Sequence, residues 1–181
     1  MTRVSVAQAK ARFSRILAEA AAGRGCPDPA IAQRTLLTRY VDTSVLVPLL
    51  LPEETTERVQ LWLELPGNEA LAISEWTVTE FVSALGLKVR AKALRPEQAR
   101  AALQILRKLI DASFQVLTPT RADFALAAEF LSHHALGLRA GDAMHLAIAA
   151  NEGAEAVYSL DRAFITPARK LKIPASNPVQ D

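Results

Sequence analysis

Cysteine is nearly absent from this chain: one residue, Cys26, in 181. That excludes an intramolecular disulfide and a four-cysteine zinc site, and it fits a reducing cytoplasm. Aromatic residues make up only 6% of the sequence against a hydrophobic fraction of 50%. A composition so rich in Ala, Leu and Val favours helices packed on a sheet over an all-β sandwich. No apolar run approaches a membrane span, since VLVPLLL is short and interrupted by Pro48. The opening MTRVSVAQAKARF lacks the apolar stretch of a secretory signal. Strong charge of one sign is lacking too, with 21 Lys and Arg against 19 Asp and Glu, a formal +2. Nucleic acid is thereby permitted as a partner but not demanded. Internal repeats and low-complexity tracts are missing. These features lead us to expect a soluble, cytoplasmic protein with one main domain.

What is present falls into two unequal parts. Residues 1–22 read as a short strand, RVSV, followed by a helix. Val6, Ala9, Phe13, Ile16, Leu17 and Ala20 form one apolar stripe on it, and Lys10, Arg12, Arg15 and Glu19 lie opposite. Residues 23–35, with Gly23, Gly25, Pro27 and Pro29, read as a linker. From residue 36 to 181 strand and helix patterns alternate, as in a parallel α/β sheet. LLTRYVD, LAIS, FQVL and EAVYSL are the expected strands, with LKIPA at an edge. SVLVPLLL, Thr55 to Leu65, EWTVTEFVSALGLKVRAKA, EQARAALQILRKLIDA, RADFALAAEFLSHH and AGDAMHLAIAANEG are the expected helices. Pro66 and Gly67 stop the second of these. Pro96 suits a first helical turn, and Ala99, Leu103, Leu106 and Ile110 would face the core. Thr120 and Asp123 have capping-box spacing, and Gly137 and Gly141 bracket a loop.

Four acids stand where strands hand over to helices: Asp42, Glu80, Asp142 and Asp161. Asp42 is either the N-cap of the helix it opens or a ligand pinned at a strand tip, with Thr43 and Ser44 beside it. Glu80 shares a helix face with inward positions near Trp76, Thr77 and Ala84, where an unpaired carboxylate is costly. Glu75, in the first turn of that helix, is the ordinary dipole-complementing acid. Asp142 is again a helix-start acid or a ligand. His145, three residues on, reads as a packed or supporting residue rather than a ligand. His133 and His134 suit a helix C-terminus. Asp161 is a turn acid or a ligand, and Ser159 would point to the same side of the strand. Carboxylates converging at the ends of parallel strands repel one another unless a cation lies among them, and such oxygen ligands suit Mg2+ or Mn2+.

The segments YVDTSVLVPLL, SEWTVTEFVSAL, LRAGDAMHLAIAA and SLDRAF resemble, in order, the four acidic motifs of PIN-domain nucleases, and among them the VapC-type toxins of toxin–antitoxin pairs. The resemblance runs from about residue 36 to 176. It implies a three-layer α/β/α fold with a parallel central sheet, preceded here by an amphipathic helix. It also implies a Mg2+- or Mn2+-dependent endoribonuclease, a homodimer with an antitoxin partner. The family's acids fall on Asp42, Glu80, Asp142 and Asp161, and its supporting hydroxyls on Thr43, Ser44 and Ser159. Residues 1–22 in turn resemble the start of Phd/YefM-type antitoxins, whose N-terminal part dimerises and binds DNA.

Lys88, Arg90, Lys92 and Arg95, continuing from the Glu80 helix, and Arg139, just before Asp142, are either a solvated helix end or cations that hold RNA. The competing functional reading is a catalytically silent, antitoxin-like DNA-binding or interaction protein on the same scaffold. A phosphatase reading would want a second aspartate that YVDTSVL lacks.

Overall fold

The computed structural model describes residues 38–65 and 71–180. The N-terminal strand and helix, the linker and the Pro66–Gly67 stop lie outside the described residues. Five strands make one sheet: β1 (Arg39–Val41), β2 (Leu71–Ser74), β3 (Phe114–Leu117), β4 (Ala156–Tyr158) and β5 (Ala175–Ser176). Their order is β3-β2-β1-β4-β5 and every pairing is parallel. Tyr40 stands opposite Ala72 on one side and Val157 on the other, so β1 is central. Seven α-helices are described: α1 (Thr43–Leu50), α2 (Thr56–Leu63), α3 (Glu75–Arg90), α4 (Pro96–Ser113), α5 (Arg121–Ser132), α6 (Ala140–Asn151) and α7 (Arg162–Lys170).

The two-residue period of a strand sorts these elements into layers. Tyr40, Ala72 and Val157 point to a core shared with α5, α6 and α7 through Ala127, Leu146 and Phe164. Val41, Leu71 and Ile73 point the other way, to a core shared with α1, α2, α3 and α4 through Leu46, Val59, Phe81 and Leu106. A sheet covered on both faces needs continuous apolar strands, which is why LAIS shows no alternation. The result is the expected three-layer α/β/α arrangement. No helix among the described residues is long and apolar enough to cross a membrane.

Some boundaries differ from the sequence reading. The buried stripe of α4 runs through Ala102, Leu106 and Leu109, with Ala99, Leu103 and Ile110 at its margin. Two overlapping stripes share Leu106, and contact with the sheet decides between them. Gly141 lies inside the first turn of α6 rather than in a loop, whereas Gly137 is left-handed, φ 66°. The final strand is displaced towards Ser176, because Pro174 has no N–H and joins the sheet through its carbonyl, which accepts from the Val157 amide at 2.8 Å. Helix α7, whose extent the sequence reading leaves undefined, carries Pro167 within it.

Candidate metal centre

The strand order reverses direction between β1 and β4, since β2 and β3 extend one way and β5 the other. Open α/β sheets place ligands in the crevice at such a switch point, beyond the carboxyl ends of the strands. Asp42 follows β1 there, and Ser159 and Asp161 follow β4. The Asp42 amide donates to the Tyr158 carbonyl at 3.0 Å, tying the two strand ends together.

Asp42 is both cap and site residue. It is the N-cap of α1, accepting from the Ser44 amide at 3.3 Å, yet it is only 6% exposed. Its Oδ2 accepts from the Ser44 hydroxyl at 2.7 Å and from the Ser159 hydroxyl at 2.5 Å. Those hydroxyls are held in turn, Ser44 Oγ by the Leu160 amide and Ser159 Oγ by the Asp161 amide. One carboxylate is thus locked by residues from both strand ends.

Glu80 comes in from α3. The inward face of that helix is Thr77, Phe81 and Leu85, so Glu80 sits on its flank, not on the apolar face expected of it. Its side chain is 29% exposed. Oε2 accepts from Thr43 Oγ1 at 2.7 Å and lies 2.7 Å from His145 Nε2. Oε1 packs against Gly141 so tightly that a Cβ there would collide with it. Burial pushes the Glu80 carboxyl up, but the hydrogen bond and attraction of His145, with Thr43 and Trp76, hold it below the usual range. Among the described residues, the buried Trp76 indole nitrogen has no hydrogen-bond partner in good geometry. His145 Nε2 is also 3.6 Å from Asp42 Oδ1. One ligand atom from each of Asp42, Glu80 and His145 lies within 4.8 Å of the others, a group that could hold a metal ion.

Asp142 and Asp161 are not part of that group. Asp142 is in the first turn of α6, and burial, together with the charges of Asp42 and Asp161, pushes its carboxyl up despite a backbone hydrogen bond at Arg139. Asp161 caps α7, accepting from the Ala163 amide at 2.7 Å. The structure therefore brings Asp42 and Glu80 together with His145, while Asp142 feels the charges of Asp42 and Asp161, offset in part by His145. A hard oxygen set under mutual repulsion fits a divalent cation.

The cations are placed differently. Arg139 is the N-cap of α6, three residues from Asp142. Lys88 is two turns beyond Glu80, about 12 Å along the helix, and pairs with Glu53 at 2.7 Å. Arg90 ends α3, Lys92 is left-handed at φ 58°, and Arg95 precedes α4. Sequence reasoning passed over Tyr40 and the role of Gly141. A tyrosine two residues before the first acid, and a glycine directly before the third, were the signals available.

The model of the PIN domain family matches residues 39–170. The chain belongs to the PIN domain family. Among solved structures, VapC20 of Mycobacterium tuberculosis, described as a sarcin–ricin loop cleaving toxin, is 21% identical at a TM-score of 0.55, covering 69% of this PIN protein and 91% of that chain. FitAcB from Neisseria gonorrhoeae is 22% identical at 0.58, covering 78% and 99%. VapBC2 from Rickettsia felis, bound to a DNA fragment from its promoter, is 18% identical at 0.56, covering 77% and 98%. At such identities the likeness is one of fold. No curated protein matches the chain.

Proposed function

We propose that this PIN protein is a Mg2+- or Mn2+-dependent endoribonuclease, the toxin component of a type II toxin–antitoxin system. The observation that carries the proposal is the meeting of Asp42, Glu80 and His145 at the sheet's switch point, with Asp142 feeling the charges of Asp42 and Asp161. Asp42 and Asp142 would be the central ligands, with Glu80 and Asp161 flanking. A bound divalent cation supplies an acidified water and neutralises charge on a scissile phosphate.

The chain's own residues do the rest. Ser44 and Ser159 hold the Asp42 carboxylate so that its other oxygen faces the crevice. The amide ends of α1, α6 and α7 all start at the site residues, and helix N-termini favour phosphate. Arg139 would take a phosphate oxygen beside Asp142, and Lys88, Arg90 and Lys92 would touch the RNA farther along. The likeness of the fold to complexes such as VapBC2 extends the proposal to an antitoxin partner, and we propose a homodimer with it.

The test is cleavage of RNA by purified protein with Mg2+ or Mn2+, repeated with EDTA and after Asp42→Asn. Cleavage should fall at least about a hundredfold in both cases, since loss of a metal ligand removes the ion's whole contribution. Cleavage indifferent to EDTA or to Asp42→Asn would sink the reading.

A further inference from the structure

Behind Glu80 runs a buried polar chain that the four acids do not account for. Tyr40 and His145 are 0% and 1% exposed, and Tyr40 OH lies 2.7 Å from His145 Nδ1. The same hydroxyl lies 2.7 Å from Ser74 Oγ and 3.2 Å from Thr77 Oγ1. Ser74 and Thr77 form the capping box that starts α3, the helix carrying Glu80. The chain therefore closes on itself: from the cap of α3, through β1 and α6, back to the Glu80 carboxylate on α3. The imidazole plane is fixed as well, tilted at 59° to Tyr40 and edge-on to Phe164.

Counting hydrogens assigns the donors. An ionised carboxylate only accepts, so the 2.7 Å contact between Glu80 Oε2 and His145 Nε2 needs a hydrogen on Nε2. The Tyr40 hydroxyl, which can donate one hydrogen, lies within hydrogen-bond distance of Nδ1 and can serve it. A nitrogen carrying a hydrogen has no lone pair for a metal.

We infer that Tyr40 and His145 are positioning residues that aim the Glu80 carboxylate at the cation site, with the imidazole a donor to Glu80 rather than a ligand. The inference rests on the metal-site reading above. Groups that orient metal ligands in this way change metal affinity roughly ten- to a hundredfold when removed.

The test is Mn2+ binding to metal-free protein by calorimetry, read as a double-mutant cycle. Tyr40→Phe should weaken Mn2+ about tenfold when Glu80 is present, and by less than about twofold once Glu80→Gln is in place. A general loosening of the fold would lower affinity equally in both backgrounds and would overturn the inference. So would an unchanged affinity in Tyr40→Phe. Should that variant fail to fold, His145→Gln and His145→Asn replace it: Gln reaches Glu80 with its amide and should keep most of the affinity, whereas Asn stops short and should lose it. Equal losses in the two contradict the positioning role. Nitrogen-15 NMR of the imidazole gives a second readout. Nε2 should stay protonated before and after Mg2+ is added, and loss of that proton on Mg2+ addition would make His145 a ligand. If the unsubstituted protein binds no Mn2+, the metal-site reading itself fails, while the NMR readout still reports whether the hydrogen-bond chain exists.

Discussion

At the scale of single residues, the site separates stability from function at two positions. Gly141 has an ordinary helical conformation, so alanine there gains helix propensity, about 1 kcal/mol in favour of folding. Its Cβ, however, would occupy the space of Glu80 Oε1, the movable end of a long side chain. Gly141→Ala should thus leave the melting temperature unchanged or raised, while displacing Glu80 and weakening Mn2+ binding by about tenfold. A thermal melt and a calorimetric titration of the same sample check both halves. Asp142 behaves oppositely to a paired acid. Its carboxyl is raised above the ordinary 3.8 by burial and by Asp42 and Asp161. Its contribution to stability is therefore full below that value and is lost as pH rises through the raised pKa. At neutral pH the charge is a liability that Asp142→Asn removes. In EDTA the variant should melt about 2–4 °C higher than the unsubstituted protein. The difference should vanish near pH 3, where both side chains are uncharged, and reverse in excess Mn2+. A lower melting temperature in EDTA would mean that the acid's charge is already compensated within the protein.

At the scale of elements, the capping chemistry was legible and the faces of helices were less so. Thr120 with Asp123 is the expected start of α5, whereas the Ser74–Thr77 box that starts α3 emerges only in the structure. Asp42 and Asp161 show why caps alone could not decide function: each is a true N-cap, and Asp42 also stands beside His145 and Glu80. The two readings of these residues were never exclusive. Glu80 was harder, because a face inferred from three- and four-residue steps is blurred when Trp76, Thr77, Phe81 and Ala84 make most of a helix apolar. Only packing against Leu71 and Ile73 selects Thr77, Phe81 and Leu85 as the inward set. Asp123 gives the element-scale prediction. It is 4% exposed, accepts from the Thr120 amide at 2.6 Å and hydroxyl at 2.8 Å, and from Asn151 Nδ2 at 2.6 Å. It thereby joins the start of α5 to the end of α6, two helices packed against one core. Burial pushes its carboxyl up, but the Thr120 amide, Asn151 and the Thr120 hydroxyl hold it below the usual range. This stability is present above the ordinary 3.8 and is lost as pH falls through the lower folded value. Asp123→Ala should cost about 2–3 kcal/mol in urea unfolding at pH 7. Little of that difference should remain in acid.

At the scale of the whole molecule, topology explains how residues distant in sequence meet at Asp42. Alternating strands and helices announce a parallel sheet, but the order β3-β2-β1-β4-β5 is set by crossovers that local patterns do not encode. Once β1 and β4 are neighbours, Asp42, Ser159 and Asp161 must be neighbours too. Among the described residues the two apolar cores run from Tyr40 to Val179 and the site residues lie within that span; we expect the metal site not to depend on residues 1–35. Protein lacking those residues should fold and be stabilised by Mn2+ as the full chain is. Binding to the folded state alone contributes about 2.7 kcal/mol at a hundred times Kd, or about 5–11 °C in a domain of this size. Thermal melts of both lengths with and without Mn2+ measure this, with Asp42→Asn as the control that should lose the rise. Light scattering on the same samples tests the proposed role of the N-terminal segment, because removing a dimerising helix should lower the mass in solution. An equal Mn2+ rise with a lower mass would assign catalysis and association to separate parts of the chain. A rise confined to the full-length protein would instead mean that residues 1–35 help to build the site.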